Sequence, residues 1–159
     1  MFNYRKINAK GFTLAEILVS VAIALFVISG IYAVLNVGNI TWFTDMGMLD
    51  LQQNARQGMD GITRELRQSA SSDIAISNAG EKIEFSVPNV TDTVAYYLDA
   101  GQLIREHPPG VEKVIANDVN SLNFLSNAGI VTIQLGLEKT AQKRNLSFSL
   151  REKVRLRNE

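Results

Sequence analysis

Hydrophobic residues follow two different spacings in this chain, and the change falls near Ser72. From Ile17 to Leu35 the sequence ILVSVAIALFVISGIYAVL has no charged residue. At about 1.5 Å per residue, a helix of that length spans roughly 28 Å, close to the roughly 30 Å hydrocarbon core of a bilayer. Ser20, Ser29, Gly30 and Tyr32 are tolerable within it. Beyond Trp42, the residues Met48, Leu51, Ala55, Met59, Ile62, Leu66 and Ala70 recur in steps of three and four, which makes one helical stripe. Arg56, Asp60, Arg64 and Arg67 lie largely off that stripe, and Asp60 and Arg64 have the spacing of an i, i+4 ion pair. The pattern predicts one long helix from about Phe12 to about Ser69, with its second half packed on a globular domain. Gly38, Gly47, Gly58 and Gly61 are expected to bend or loosen it. Trp42 and Phe43, just past the apolar run, suit either a membrane-interface belt or packing on the head.

After Ser72 the period drops to two. Ile83, Phe85 and Val87 alternate with polar residues, as do Val94, Tyr96 and Leu98. Val131, Ile133, Leu135 and Leu137 do the same, followed by Leu146, Phe148, Leu150, Val154 and Leu156. Alternation of this kind predicts antiparallel strands with one face buried. Turn residues fall at Asn78-Ala79-Gly80, Asp99-Ala100-Gly101, Pro108-Pro109-Gly110 and Asn127-Ala128-Gly129. Thr140–Arg144 reads as a charged loop between the last two strands. The strand order is left open by the pattern.

Charge gives the long helix a direction. The chain has 16 basic and 16 acidic residues, so there is no overall basic field for nucleic acid. Arg5, Lys6 and Lys10 nevertheless stand before the apolar run with no acid among them. Positive flanks stay in the cytoplasm, so the residues after about Asn39 should face the other side. A removable secretory signal has an apolar region of about 7–15 residues and a small-residue cleavage site after it. This run is longer and ends in no such site, so it should remain as an anchor. The absence of cysteine excludes a disulfide framework, a thiolate metal site and a cysteine nucleophile.

At the start of the helix stands Lys10-Gly11-Phe12-Thr13-Leu14-Ala15-Glu16. This segment resembles the cleavage and methylation signal of type IV prepilins and type II secretion pseudopilins: a short basic leader, Gly, an aromatic residue, Thr-Leu-x-Glu and an apolar helix. The resemblance implies cleavage between Gly11 and Phe12 by an aspartyl prepilin peptidase and N-methylation of the new Phe12 amine. It also implies that Glu16 meets the terminal amine of a neighbouring subunit during filament assembly. At about 4 Å and an effective dielectric of 20, that attraction is about 4 kcal/mol before desolvation is subtracted. A first-turn Glu that only complements the helix dipole is the plainer reading. Many major pilins of this class carry a Pro where this chain has Ala33. Arg56-Gln57, Ile62-Thr63-Arg64-Glu65-Leu66-Arg67, Val94-Ala95-Tyr96-Tyr97-Leu98 and Gly101-Gln102-Leu103-Ile104-Arg105 resemble PilW-like minor pilins and J-type minor pseudopilins.

No catalytic set is legible. His107, the only histidine, lies beside Pro108 and Pro109 and reads as a solvent-exposed turn residue. Gly58-Met59-Asp60-Gly61 lacks the Lys and the preceding strand of a phosphate loop. Asp92, Asp99 and Asp118 are scattered on expected loops without calcium-loop spacing. The sequons at Asn89 and Asn145 matter only in a glycosylating host. No cofactor and no metal are expected.

The expected fold is therefore α+β and pilin-like, with a long N-terminal helix on an antiparallel sheet. Residues 1–11 would be a leader, 12–40 the transmembrane and assembly half of the helix, and 41–159 the rest of the helix with the head. The resemblance implies a minor pilin or minor pseudopilin at the bacterial inner membrane, then in a pilus or pseudopilus. Its partners would be other pilins, the prepilin peptidase/N-methyltransferase and an inner-membrane assembly platform. A major pilin, or an uncut single-pass anchor with a ligand-binding head, are the alternatives.

Overall fold

The computed structural model describes residues 11–88, 91–142 and 144–156. The leader residues Arg5, Lys6 and Lys10 and the sequon at Asn89 lie outside them. One helix, α1, runs Leu14–Leu66. Eight strands follow: β1 Ile74–Ser77, β2 Lys82–Phe85, β3 Val94–Asp99, β4 Gln102–Glu106, β5 Glu112–Ala116, β6 Val119–Asn127, β7 Ile130–Ala141 and β8 Arg144–Arg155. Two compact units divide at Thr41/Trp42.

In the first unit every residue from Gly11 to Asn39 is exposed. The serine hydroxyls that interrupt the apolar run are satisfied within the helix: Ser20 Oγ donates to the Glu16 carbonyl at 2.7 Å and Ser29 Oγ to the Phe26 carbonyl at 2.8 Å. Such back-bonding leaves an outer surface that suits lipid or other apolar helices and has little to offer water.

In the second unit α1 buries Gly47, Leu51, Ala55, Gly58, Met59, Ile62, Thr63 and Leu66. This is the expected stripe with Gly47, Gly58 and Thr63 added and Met48 only partly buried. A Cβ at Gly47 would stand 2.8 Å from Leu146 Cδ1, and one at Gly58 would stand 2.9 Å from Leu103 Cδ2. These glycines let strands approach the helix, which corrects the expectation that they loosen it. The helix ends through i→i+3 bonds, Gln68 N–H to Glu65 O at 3.0 Å and Ser69 N–H to Leu66 O at 3.1 Å.

The head has two antiparallel sheets where one was expected. The first has the order β1-β2-β3-β4-β5 and the second β6-β7-β8. Both are antiparallel meanders, in which strands adjacent in sequence are adjacent in the sheet. Ala79, Gly80, Ala100, Gly101, Gly110, Ala128 and Gly129 all take positive φ, so the four expected turns are present. One core unites the layers: Leu51, Met59, Ile62 and Leu66 of α1 pack with residues such as Ile83, Phe85, Tyr96 and Leu103, and with Phe124, Ile133, Leu135 and Leu137. Phe85 and Tyr96 stack with ring centroids 6.2 Å apart.

Several local expectations are corrected. Thr140 pairs with Asn145 and Ala141 with Arg144, so β7 and β8 run on into the supposed loop. Strand pairing wins there because Ala141 still packs against the core. Asp60 and Arg64 form no ion pair; both side chains face an open groove beside β5. Trp42 and Phe43 are exposed. His107 is half-buried, and its Nδ1 is sealed from solvent without a partner.

Candidate functional site

Gly11 and Phe12 precede the helix, and Phe12 is 86% exposed. A Cβ on Gly11 would meet nothing within 4 Å. The fold of the described residues therefore does not require glycine at this position. A bond flanked by Gly and an exposed aromatic is open to an enzyme that must approach the backbone closely.

Thr13 caps the helix. Its amide donates to Glu16 Oε2 at 2.8 Å and its hydroxyl to the same oxygen at 2.9 Å. Glu16 N–H returns a bond to Thr13 Oγ1 at 3.3 Å. This is a capping box, in which two helix-start donors are satisfied reciprocally. The signal was present in the sequence as Thr-x-x-Glu. Reading Glu16 only through its charge missed it. The geometry gives Glu16 a role within its own chain, holding the first turn that Phe12 leads into. It also places a carboxylate three residues from Thr13, on the exposed surface of an apolar helix.

The head holds a second polar group that sequence reasoning did not single out. Arg105 Nε lies 3.1 Å from both Glu65 oxygens, and Tyr96 Oη donates to Glu65 Oε2 at 2.9 Å. The three residues come from α1, β3 and β4. Their buried geometry suits a tie between helix and sheet. Glu65, Tyr96 and Arg105 all belong to the phrases that resemble minor pilins, but nothing in their spacing announced them as partners.

Asp118 faces Lys139 Nζ at 3.8 Å, which also lies 3.5 Å from Asp50. Among the described residues no group of three His, Cys, Asp or Glu side chains could hold a metal ion. An open groove of about 830 Å³ lies between α1 and β5, lined by residues such as Gln52, Arg56, Asp60, Arg64 and Lys113. Its lining offers no nucleophile beside a base.

Residues 6–32 match the family described as the prokaryotic N-terminal methylation motif. The matched stretch includes Gly11, Phe12, Thr13 and Glu16 and the opening of the apolar helix. It supports a type IV pilin-like chain with a methylated, membrane-anchoring N-terminus. No curated protein and no solved structure matches the chain.

Proposed function

We propose that the chain is a minor pilin or minor pseudopilin, a structural subunit that initiates or caps a type IV pilus-like filament or a type II secretion pseudopilus. It is made as a single-pass inner-membrane precursor with its leader in the cytoplasm and its head outside. A prepilin peptidase cuts between Gly11 and Phe12, and the new Phe12 amine is methylated. The apolar half of α1 then exchanges lipid for the helices of neighbouring subunits.

The observation that carries this reading is the order of features at the N-terminus. A glycine that its own fold does not need is followed by an exposed aromatic, a capped first turn with Glu16, and an exposed apolar helix. Glu16 is the residue that serves assembly. A carboxylate near a bilayer is costly, on the order of 2.5–3.5 kcal/mol at the centre on insertion scales. A neighbouring subunit's terminal amine offsets that cost and fixes the register between helices. The lack of the cysteine pair that often staples the C-terminal region of major pilins, and of a Pro at Ala33, favours a minor subunit over a major one.

Mass spectrometry of the mature chain from a host with an active prepilin peptidase tests the reading. The expected species begins at methylated Phe12. A chain still carrying residues 1–11 would make this an uncut anchor protein instead. Gly11→Val should block maturation, and normal processing of that variant would contradict the proposed cut.

A further inference from the structure

The balanced total charge conceals a one-sided surface on the last strand. Along β8, Leu146 and Val154 are buried and Phe148 and Leu150 are half-buried against the core. The alternate residues Arg151, Lys153 and Arg155 are exposed on the opposite face. Steps of two residues set them about 7 Å apart, so the three cations form a straight column about 14 Å long. Strand β8 is the edge of its sheet, so only β7 lies beside the column. The register there puts Gln134 opposite Arg151, Thr132 opposite Lys153 and Ile130 opposite Arg155.

Among the described residues no carboxylate pairs with these charges. The ion pairs of the described residues use Arg67, Lys82, Arg105 and Lys139. Glu152, between the first two cations in sequence, points to the other face and meets Arg67 at 3.4 Å. The acid on the same face is Glu138, opposite Ser147, about 14 Å along the strand from Arg151. It already accepts from Asn120 Nδ2 at 2.7 Å. Three like charges in a row repel one another, and nothing within the described chain compensates them.

We infer that this outer face of the β6-β7-β8 sheet binds the phosphate backbone of duplex nucleic acid. A linear polyanion matches a linear column of cations, with Gln134 and Thr132 as the kind of polar groups that accompany Arg and Lys at phosphates. A protein partner is disfavoured by the composition of the face, because protein interfaces are depleted of charge at their core and enriched in aromatics. Here three cations line the edge strand, no aromatic shares the face, and its exposed large apolar residues are Leu125, in the row of Lys153, and Ile130, opposite Arg155. A single strand would need aromatic platforms for its bases, and this face carries none. The contacts inferred here are all to phosphate, so recognition is independent of base sequence. The inference goes beyond the subunit role and does not depend on cleavage at Gly11.

Fluorescence anisotropy with the full chain in non-ionic detergent and a short mixed-sequence duplex tests it. Three phosphate contacts give a slope of log K against log salt of about −2.7, and each of Arg151→Gln, Lys153→Gln and Arg155→Gln reduces it by about 0.9. The triple variant should lose measurable binding, while Lys113→Gln, beside α1, should leave the slope unchanged. The inference is overturned by absence of binding at low salt, by an unchanged slope in the triple variant, or by an equal loss in Lys113→Gln. Tighter binding of a single strand, or equal competition by polyglutamate, overturns the choice of duplex phosphate as the ligand.

Discussion

Arg105 Nε stands 3.1 Å from both carboxylate oxygens of Glu65, a residue 40 positions earlier in the chain. The two side chains are 22% and 21% exposed, enough screened from water for the geometry to matter. Tyr96 Oη completes the group. Glu65→Ala would leave a guanidinium and a phenol without their acceptor. Hydrogen bonds to charged groups contribute about 1.5–3 kcal/mol, so a loss of about 2–3 kcal/mol is expected in chemical denaturation. Arg105→Ala should cost less, because Tyr96 still serves Glu65. The double variant should be less destabilised than the sum, since the residues share one network.

The same group makes the head sensitive to high pH. Burial foremost, then the charge and hydrogen bond of Glu65, hold the Tyr96 phenol above its ordinary value of 10. The folded state keeps the proton that the unfolded chain gives up, so the stabilisation is complete below about pH 10 and is lost as pH rises beyond it. The half-buried Tyr97, pushed up to about 12 by its bond to Glu112, acts in the same direction. Melting temperature should therefore fall more steeply above pH 10 in the native chain than in Tyr96→Phe. Parallel curves would remove Tyr96 from the account.

Two glycines of α1, three residues apart, should respond differently to the same change. At Gly58 a Cβ meets Leu103 Cδ2 at 2.9 Å, with Leu135 Cδ2 and Ala116 Cβ at 3.4 and 3.5 Å behind it. At Gly61 the nearest atoms are at 3.8 and 3.9 Å, ordinary contact. Alanine gains about 1 kcal/mol of helix propensity at either site, but overpacking a core costs about 1–3 kcal/mol. Gly61→Ala should raise the stability of the head by about 1 kcal/mol. Gly58→Ala should be neutral or lower it by up to about 2 kcal/mol, as read from melts of the full chain in detergent.

These contrasts mark what one sequence can disclose. Alternation at Ile83–Val87, Val94–Leu98 and Val131–Leu137 reported strands because one face of each is buried and the other wet. Strand β5, Glu112–Ala116, escaped because it is an edge strand, exposed over Glu112, Lys113 and Val114, and so carries no buried period. The register of β4 and β5 also shifts between Leu103 and Ile104, which breaks any simple pattern. Gly47 and Gly58 were visible as glycines, but their close neighbours Leu146 and Leu103 come from strands far along the chain. Asp60 and Arg64 had the right spacing for a pair, yet an exposed pair gains too little to fix two long side chains. The N-terminal motif was legible because all of its chemistry is local.

Locality also leaves Glu16 with two separable roles. In the free chain it closes a capping box with Thr13, and in the proposed filament it pairs with a neighbour's amine. Gln can replace Glu in a capping box but carries no charge. Glu16→Gln should keep amide protection at Thr13 and Glu16 close to native, yet lose filament incorporation by at least about tenfold, a difference of about 1.4 kcal/mol. Thr13→Ala should do the reverse, weakening the first turn by about 1 kcal/mol while incorporation persists. Quantitative blotting of sheared filaments against cell-bound protein, alongside amide exchange in detergent, separates the two. Native incorporation of Glu16→Gln would reduce Glu16 to a cap, and loss in both variants would mean that the ordered first turn is what assembly requires.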